Sequence, residues 1–486
     1  MSLPRRLWSS PPGAERAAEN VELLAAAALG ALYCATMSGH FHSIDGMLAF
    51  NQARAIAYDR SLRFRHPLWW DGPISTSKYG IGLSLLYVPG LIAWSRVQRY
   101  LPVDIRQPAD PARPYADPLY TIVGAPLHIL ITSASAYLVG RFGRELGLDR
   151  RAALWGLACY GVASPALVYA RGDYAQPLEG LCWLAALAAA ARFRDTGRQG
   201  ALLTCAGAVC YAVLTRLVEG SLLLPAVLVM LAPELRFWRW PGAAWRATGI
   251  VAAGFILGIL GTLLVNRGRY GSVFATGYEG EGWTTPLHVG LAGALLSPGR
   301  GLLLSFPAIL FVPLGLHSFW GTRHRAAALA LAGLAGSQLL NVAAWHMWWG
   351  GWNWGLRLFV PALPLLAVLA ARGVQALPSG ARPWLPASLL ATGLLWALPC
   401  VVTDFFGGYA ARYDNTTSNF RWRAYPPIGA WASFRRWRAL RLDDHQAADI
   451  LWLRVARASR NTSLLVPVLF GAGALLLGRR IRQLMA

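Results

Sequence analysis

Two residues in the stretch SGHFHSIDGMLAFNQARAIAYDRSLRFRHPLWWDGPISTSKY, Ser38 to Tyr79, have the types that group transfer needs. Asp45 is a carboxylate able to take a proton from a hydroxyl, with His40 and His42 close by in sequence. Lys78 is the only lysine in a chain with 45 basic residues, a compact point charge suited to a phosphate or diphosphate. Bland roles stay open beside these, since an aspartate here also caps a helix and a lysine before an apolar run snorkels to an interface. Asp173 in RGDYAQP is a second carboxylate or a turn residue paired with Arg171, and Arg216 and Glu219, at i and i+3, read as an ion pair.

Further along, FATGYEGEGW supplies Tyr278 and Glu279 as polar contacts, and LLSPGRG supplies Arg300. This glycine-rich segment lacks the spacing and ending of a P-loop, so nothing supports a nucleoside triphosphate. In HMWWGGWNWGLRLFVPALP the tryptophans, Trp352 and Trp354 among them, form an interfacial belt or a platform on which sugar faces stack. Arg357 follows at a helix start, where a guanidinium and the helix dipole together suit phosphate.

The elements that must carry these residues are membrane helices. The chain has 486 residues, 55% hydrophobic and 14% charged, with mean hydropathy +0.39, too apolar for a soluble domain of this size. The net charge of +22 belongs to arginines in short loops, which points to membrane topology and lipid headgroups rather than nucleic acid. Six cysteines lie in apolar stretches without metal spacing and read as small hydrophobes. No cleavage site follows the first apolar run, so Val21 to Met37 is expected as a retained helix.

About twelve transmembrane helices are expected, from Val21–Met37 to Leu464–Leu477, including Ala152–Ala170, Gly301–Leu316 and Leu356–Ala371. Gly80–Val97, interrupted by Pro89-Gly90, is the ambiguous run. Taken as re-entrant or juxtamembrane, it leaves arginine in every short cytoplasmic loop, for example at Arg141 and Arg144, Arg192 and Arg194, and Arg479 and Arg480. Both termini are then cytoplasmic, and residues 1–486 form one membrane domain with a first outer loop at 38–118 and a last outer region at 406–463. Met47, Phe50, Ala53 and Ile56 share one helical face after Asp45, with Asn51, Arg54 and Tyr58 on another, as in a helix lying along the interface.

In this order the motifs HSIDGMLAFNQA, SKYGIGLSLLYVPG, RGDYAQP, FATGYEGEGW with LLSPGRGLLLSFP, and WWGGWNWGLRLFVPALP resemble the GT-C superfamily of polytopic glycosyltransferases, in particular bacterial protein mannosyltransferase and aminoarabinose transferase relatives. The resemblance implies an all-α polytopic membrane fold and transfer of a sugar from a polyprenyl-phosphate donor to a glycan, lipid or protein acceptor at the extracytoplasmic face of a bacterial inner membrane. It matches Asp45 to the first-loop catalytic acid, Lys78 to the contact with the carrier phosphate, and Asp173 to a second acidic position. Arg300 and Arg357 are expected to share the phosphate, with His42, Tyr79, Tyr278, Glu279, Trp352 and Trp354 around sugar or acceptor. Two places depart from the family pattern: Asp45 is followed by Gly46 rather than a second acid, and Lys78 by Tyr79 and Gly80 rather than paired prolines. No cofactor is specified, although clustered outer carboxylates leave room for a divalent cation. A transporter or lipid flippase is the rival reading, expected to carry ionisable groups at the bilayer midplane in two related halves; an inert membrane scaffold is another.

Overall fold

The computed structural model describes residues 12–65, 74–101, 115–232, 242–381, 384–405, 417–434, 449–453, 455 and 465–485. These are almost wholly helical; the one extended pairing among them is antiparallel, Phe64–Arg65 with Ile74–Ser75, between the helices Ile44–Arg54 and Gly82–Val97. In chain order the main helices are α1 (Pro12–Thr36), α2 (Ile44–Arg54), α3 (Gly82–Val97), α4 (Ala125–Glu145), α5 (Arg150–Val162), α6 (Gln176–Thr196), α7 (Gln199–Thr215), α8 (Leu217–Leu231), α9 (Gly242–Tyr270), α10 (Leu287–Leu296), α11 (Arg325–Ala344), α12 (Leu363–Gln375), α13 (Trp384–Val402) and α14 (Leu465–Met485).

Among the described residues, five helical stretches are long and apolar enough to cross a membrane: Tyr120–Glu145, Gly242–Tyr270, Arg325–Ala344, Arg357–Gln375 and Trp384–Val402. Shorter apolar helices such as Val21–Thr36 and Leu217–Leu231 accompany them. The polytopic character holds, while the count of twelve full spans is not reproduced by length. Proline is one reason. The run expected at Ala152–Ala170 breaks after Val162, where Pro165 removes an N–H donor and restricts the residue before it, and a short helix resumes at Ala166–Tyr169. Likewise Gly301–Leu316 divides into Leu302–Ser305, a 3-10 turn Pro307–Phe311 and Val312–Trp320. Pro89 does not interrupt α3, which runs 16 residues, about 24 Å long and short of a bilayer core.

Burial separates core from lipid. Every residue of α12 from Leu363 to Ala371 is buried, whereas α9 exposes Leu257 (62%) and Leu264 (68%). A helix apolar and exposed over such a length has lipid as its natural neighbour. α9 packs on α7, α7 on α6 and α8, and α14 returns the chain to α1.

α2 departs from the interfacial helix expected of its periodicity. Its apolar residues Met47, Phe50 and Ala53 are buried, and so are Asn51, Gln52 and Arg54 on the polar side. Each of these side chains makes at least one hydrogen bond: Asn51 donates to the Met47 carbonyl, Gln52 to the Leu62 carbonyl, and Arg54 to Asn51 at 2.9 Å and to Asp117 at 2.7 Å. Asp117 in turn accepts the backbone N–H of Leu119 and Tyr120, so one carboxylate ties α2 to the entry of α4. α2 is therefore wedged into the protein, and its N-terminus is fixed in space.

Candidate active site

At that N-terminus the helix cap is Ser43, not Asp45: its Oγ accepts from the Gly46 N–H at 2.9 Å. Asp45 sits in the first turn with a side chain 25% exposed, free of the capping role. Its Oδ1 accepts the Tyr79 hydroxyl at 2.6 Å, and its Oδ2 accepts Arg357 Nη1 at 2.6 Å. Burial alone would raise this carboxyl, but the Arg357 guanidinium and the Tyr79 hydroxyl outweigh it and hold the group below its ordinary value of 3.8.

Both departures from the family pattern acquire a physical reason here. A Cβ at Gly46 would lie 2.2 Å from Asp173 Oδ2, so the carboxylate of Asp173 packs directly on the space a side chain would need. Asp173 uses that approach to accept the Ser43 N–H and hydroxyl, both at 3.1 Å, and burial pushes its carboxyl up to about 6 against the pull of His42 and these donors. After Lys78, Tyr79 supplies the hydroxyl to Asp45, and Gly80 lets the chain pass where a Cβ would meet the Thr215 carbonyl at 2.0 Å.

These residues line a cavity of about 840 Å³. Asp45, Lys78, Tyr79, Asp173, Arg216, Glu219, Arg269, Tyr278, Glu281, Trp352 and Arg357 give it a polar end, and Val213, Leu217, Val218 and Val265 an apolar wall. The charges are mostly paired: Lys78 with Glu281, Arg216 with Glu219 at 2.6 Å, and Arg357 with Asp45. Lys78 therefore does not pair with Asp45, and its ammonium lies 4.8 Å from the centre of the Tyr278 ring.

Arg269 differs. It is 4% exposed, donates one bond to the Tyr79 carbonyl at 2.7 Å, and its Nε and Nη2 have no hydrogen-bond partner among the described residues. A guanidinium left short of acceptors beside a cavity is a site awaiting an anion. Sequence reading passed over it because an arginine at the end of an apolar helix reads as an interface anchor; the missing signal is that no acid lies in its own segment within one helical turn.

Other expected site residues go elsewhere. Arg300 is buried and donates to Asn419, Asn353 and the Gly351 carbonyl, binding the tryptophan loop to the turn at Thr417–Phe420 rather than lining the cavity. Trp354 is 4% exposed and packs edge-on to Phe405, while Trp352, 46% exposed, does line the cavity. The positive φ of Gly350, Gly351 and Gly355 turns the loop so that these neighbours diverge. Glu279 is exposed and accepts the backbone N–H of Thr276 and Gly277, shaping its turn outside the cavity. His42 is not a cavity residue; with His40 it faces Asp449.

No protein-family model and no curated protein sequence matches the chain. Among the solved structures that match it in fold are ArnT from Cupriavidus metallidurans in the apo state, at 17% identity and TM-score 0.53 over 94% of this chain and 74% of that one, and the same protein bound to undecaprenyl phosphate, at 16% identity and TM-score 0.53 over 94% and 75%. The chain thus has an ArnT-like fold.

Proposed function

We propose that this chain is an integral membrane glycosyltransferase that moves a sugar from a polyprenyl-phosphate-linked donor to the hydroxyl of a lipid, glycan or protein acceptor at the extracytoplasmic face. The observation that carries this reading is the placement of the under-bonded Arg269 guanidinium and Lys78 in the same cavity as the clamped carboxylate of Asp45. The shared fold with a protein crystallised with undecaprenyl phosphate supports a polyprenyl-phosphate ligand.

The chemistry follows from the groups present. A carboxylate has about four lone-pair directions, and Tyr79 and Arg357 occupy two of them on Asp45. The remainder accept the acceptor hydroxyl, which attacks the anomeric carbon as the bond to the carrier phosphate breaks and its proton passes to Asp45. The leaving polyprenyl phosphate carries the electron pair away, and its charge is met by Arg269 and Lys78. Arg357 keeps Asp45 ionised and oriented, Asp173 holds the Ser43 turn on which Asp45 stands, and Trp352 offers a ring to the sugar. The apolar wall of Val213, Leu217, Val218 and Val265 suits the prenyl chain.

Binding of radiolabelled polyprenyl phosphate to the purified protein tests the phosphate role. Arg269→Ala is expected to weaken binding about tenfold or more, with Arg269→Lys intermediate, because a charge-assisted contact is worth about 1.5–3 kcal/mol. Unchanged affinity in Arg269→Ala would remove the residue from the site.

A further inference from the structure

His40 and His42 flank Phe41 in the irregular stretch that leads into α2. Phe41 turns into the core against Phe50 and Tyr120, and its N–H is held by the Tyr115 carbonyl at 3.0 Å. The two imidazoles stand together, ring centres 4.5 Å apart. From the far end of the chain Asp449 meets them, its Oδ1 2.6 Å from His40 Nε2 and its Oδ2 2.9 Å from His42 Nε2. Arg171 fixes the carboxylate from behind, donating to Oδ2 at 3.1 Å and to the Asp449 carbonyl. Asp449 is 2% exposed and His40 5%.

The proton count in this cluster is the telling feature. His40 Nδ1 lies 2.7 Å from the Phe41 carbonyl, which can only accept, so that nitrogen carries hydrogen and Nε2 of the neutral ring presents a lone pair. That lone pair faces a carboxylate oxygen, and two acceptors in contact need a positive centre between them. An imidazole with one N–H on a backbone carbonyl and the other nitrogen turned to a cation is the usual arrangement of metal-ligating histidine. One donor atom from each of the three side chains lies within 4.8 Å of the other two. A tetrahedral ion with bonds of about 2.1 Å separates its ligands by about 3.4 Å, so small side-chain adjustments admit it. Two nitrogens and one oxygen select a first-row transition ion over calcium or magnesium, which take oxygen.

We propose that His40, His42 and Asp449 form a binding site for a divalent transition-metal ion, zinc foremost, with the fourth position taken by water. The site is separate from the cavity and independent of the sugar-transfer reading. Its ligands span more than four hundred residues of sequence, so the ion staples the last outer region onto the loop that leads into α2. Arg171 stays as the outer partner of Asp449, orienting the carboxylate while its charge moderates the affinity.

The test uses the full-length protein, stripped with EDTA and dialysed against Co2+ or Zn2+. One equivalent of metal is expected, with the visible ligand-field bands of four-coordinate Co2+, and zinc is expected to shield His40 and His42 from diethylpyrocarbonate as mapped by mass spectrometry. Asp449→Asn and His42→Gln are expected to lower occupancy tenfold or more. Wild-type protein that takes up no metal, or takes it up while both histidines stay fully reactive, overturns the site and leaves a cluster held by protons alone; this comparison needs no variant to fold. Retention of a full equivalent by folded Asp449→Asn and His42→Gln overturns it as well.

Discussion

Asp45 accepts two hydrogen bonds before any substrate arrives, and this sets its chemistry. A carboxylate held below its usual range is a weak base but a permanently charged one, well suited to orient a hydroxyl and take its proton late. Asp45→Asn is expected to lower the transfer rate about 10²- to 10⁴-fold in protein of normal stability; a folded variant at wild-type rate removes the base assignment. The pH dependence follows the direction of the shift. Because the folded group lies below 3.8, its pairing contributes stability that is fully present above that value and is lost as pH falls through the lower folded one. The acid limb of kcat/KM is accordingly expected below pH 3.8 if Asp45 is the base. Tyr79→Phe deletes one of the bonds that lowers the group, so its acid limb should move upward; an unmoved or lowered limb would show that the Tyr79 hydroxyl does not tune Asp45.

The helices determine where these residues can be. α2 was legible as a helix from the spacing of Met47, Phe50 and Ala53, but the pattern said nothing of the partners that bury its other side, Asp117 above all. Asp45, Lys78 and Arg357 stood out in the sequence by type and by their place at helix ends, and all three line the cavity. Arg269 did not stand out, because whether an arginine has an acceptor is a tertiary fact. Arg300 and Trp354 show the converse: each has the right type, but the fold gives it structural partners away from the cavity lining. Arg300→Ala is therefore expected to lower thermal stability with little change in KM for the lipid donor; a raised KM at unchanged stability would return it to the site. Gly46→Ala tests the junction of two elements. Its methyl group would drive Asp173 from Ser43, and overpacking of this kind costs about 1–3 kcal/mol, so the thermal transition should fall and transfer with it. A fully active and equally stable Gly46→Ala would contradict the close approach of Asp173.

At the scale of the molecule, the class was readable because a bilayer imposes long apolar runs and every backbone group must be satisfied within them. The number of spans was less readable, since Pro165 and Pro307 divide runs that hydropathy joins. The resulting bundle brings polar groups from the segments around α2 and before α3, from the ends of α7 and α9 and from the tryptophan loop to one cavity. That concentration on one cavity, with lysine and arginine beside an ionised carboxylate, is what the proposed transferase requires, whereas a carrier is expected to hold its charges at mid-membrane. The most direct test gives purified protein in proteoliposomes a panel of radiolabelled polyprenyl-phosphate sugars together with membrane-derived acceptors. The account predicts label in an acceptor, lost in Asp45→Asn and reduced in Lys78→Ala and Arg269→Ala; label that crosses the membrane still attached to its carrier, with no transfer to any acceptor, would contradict it.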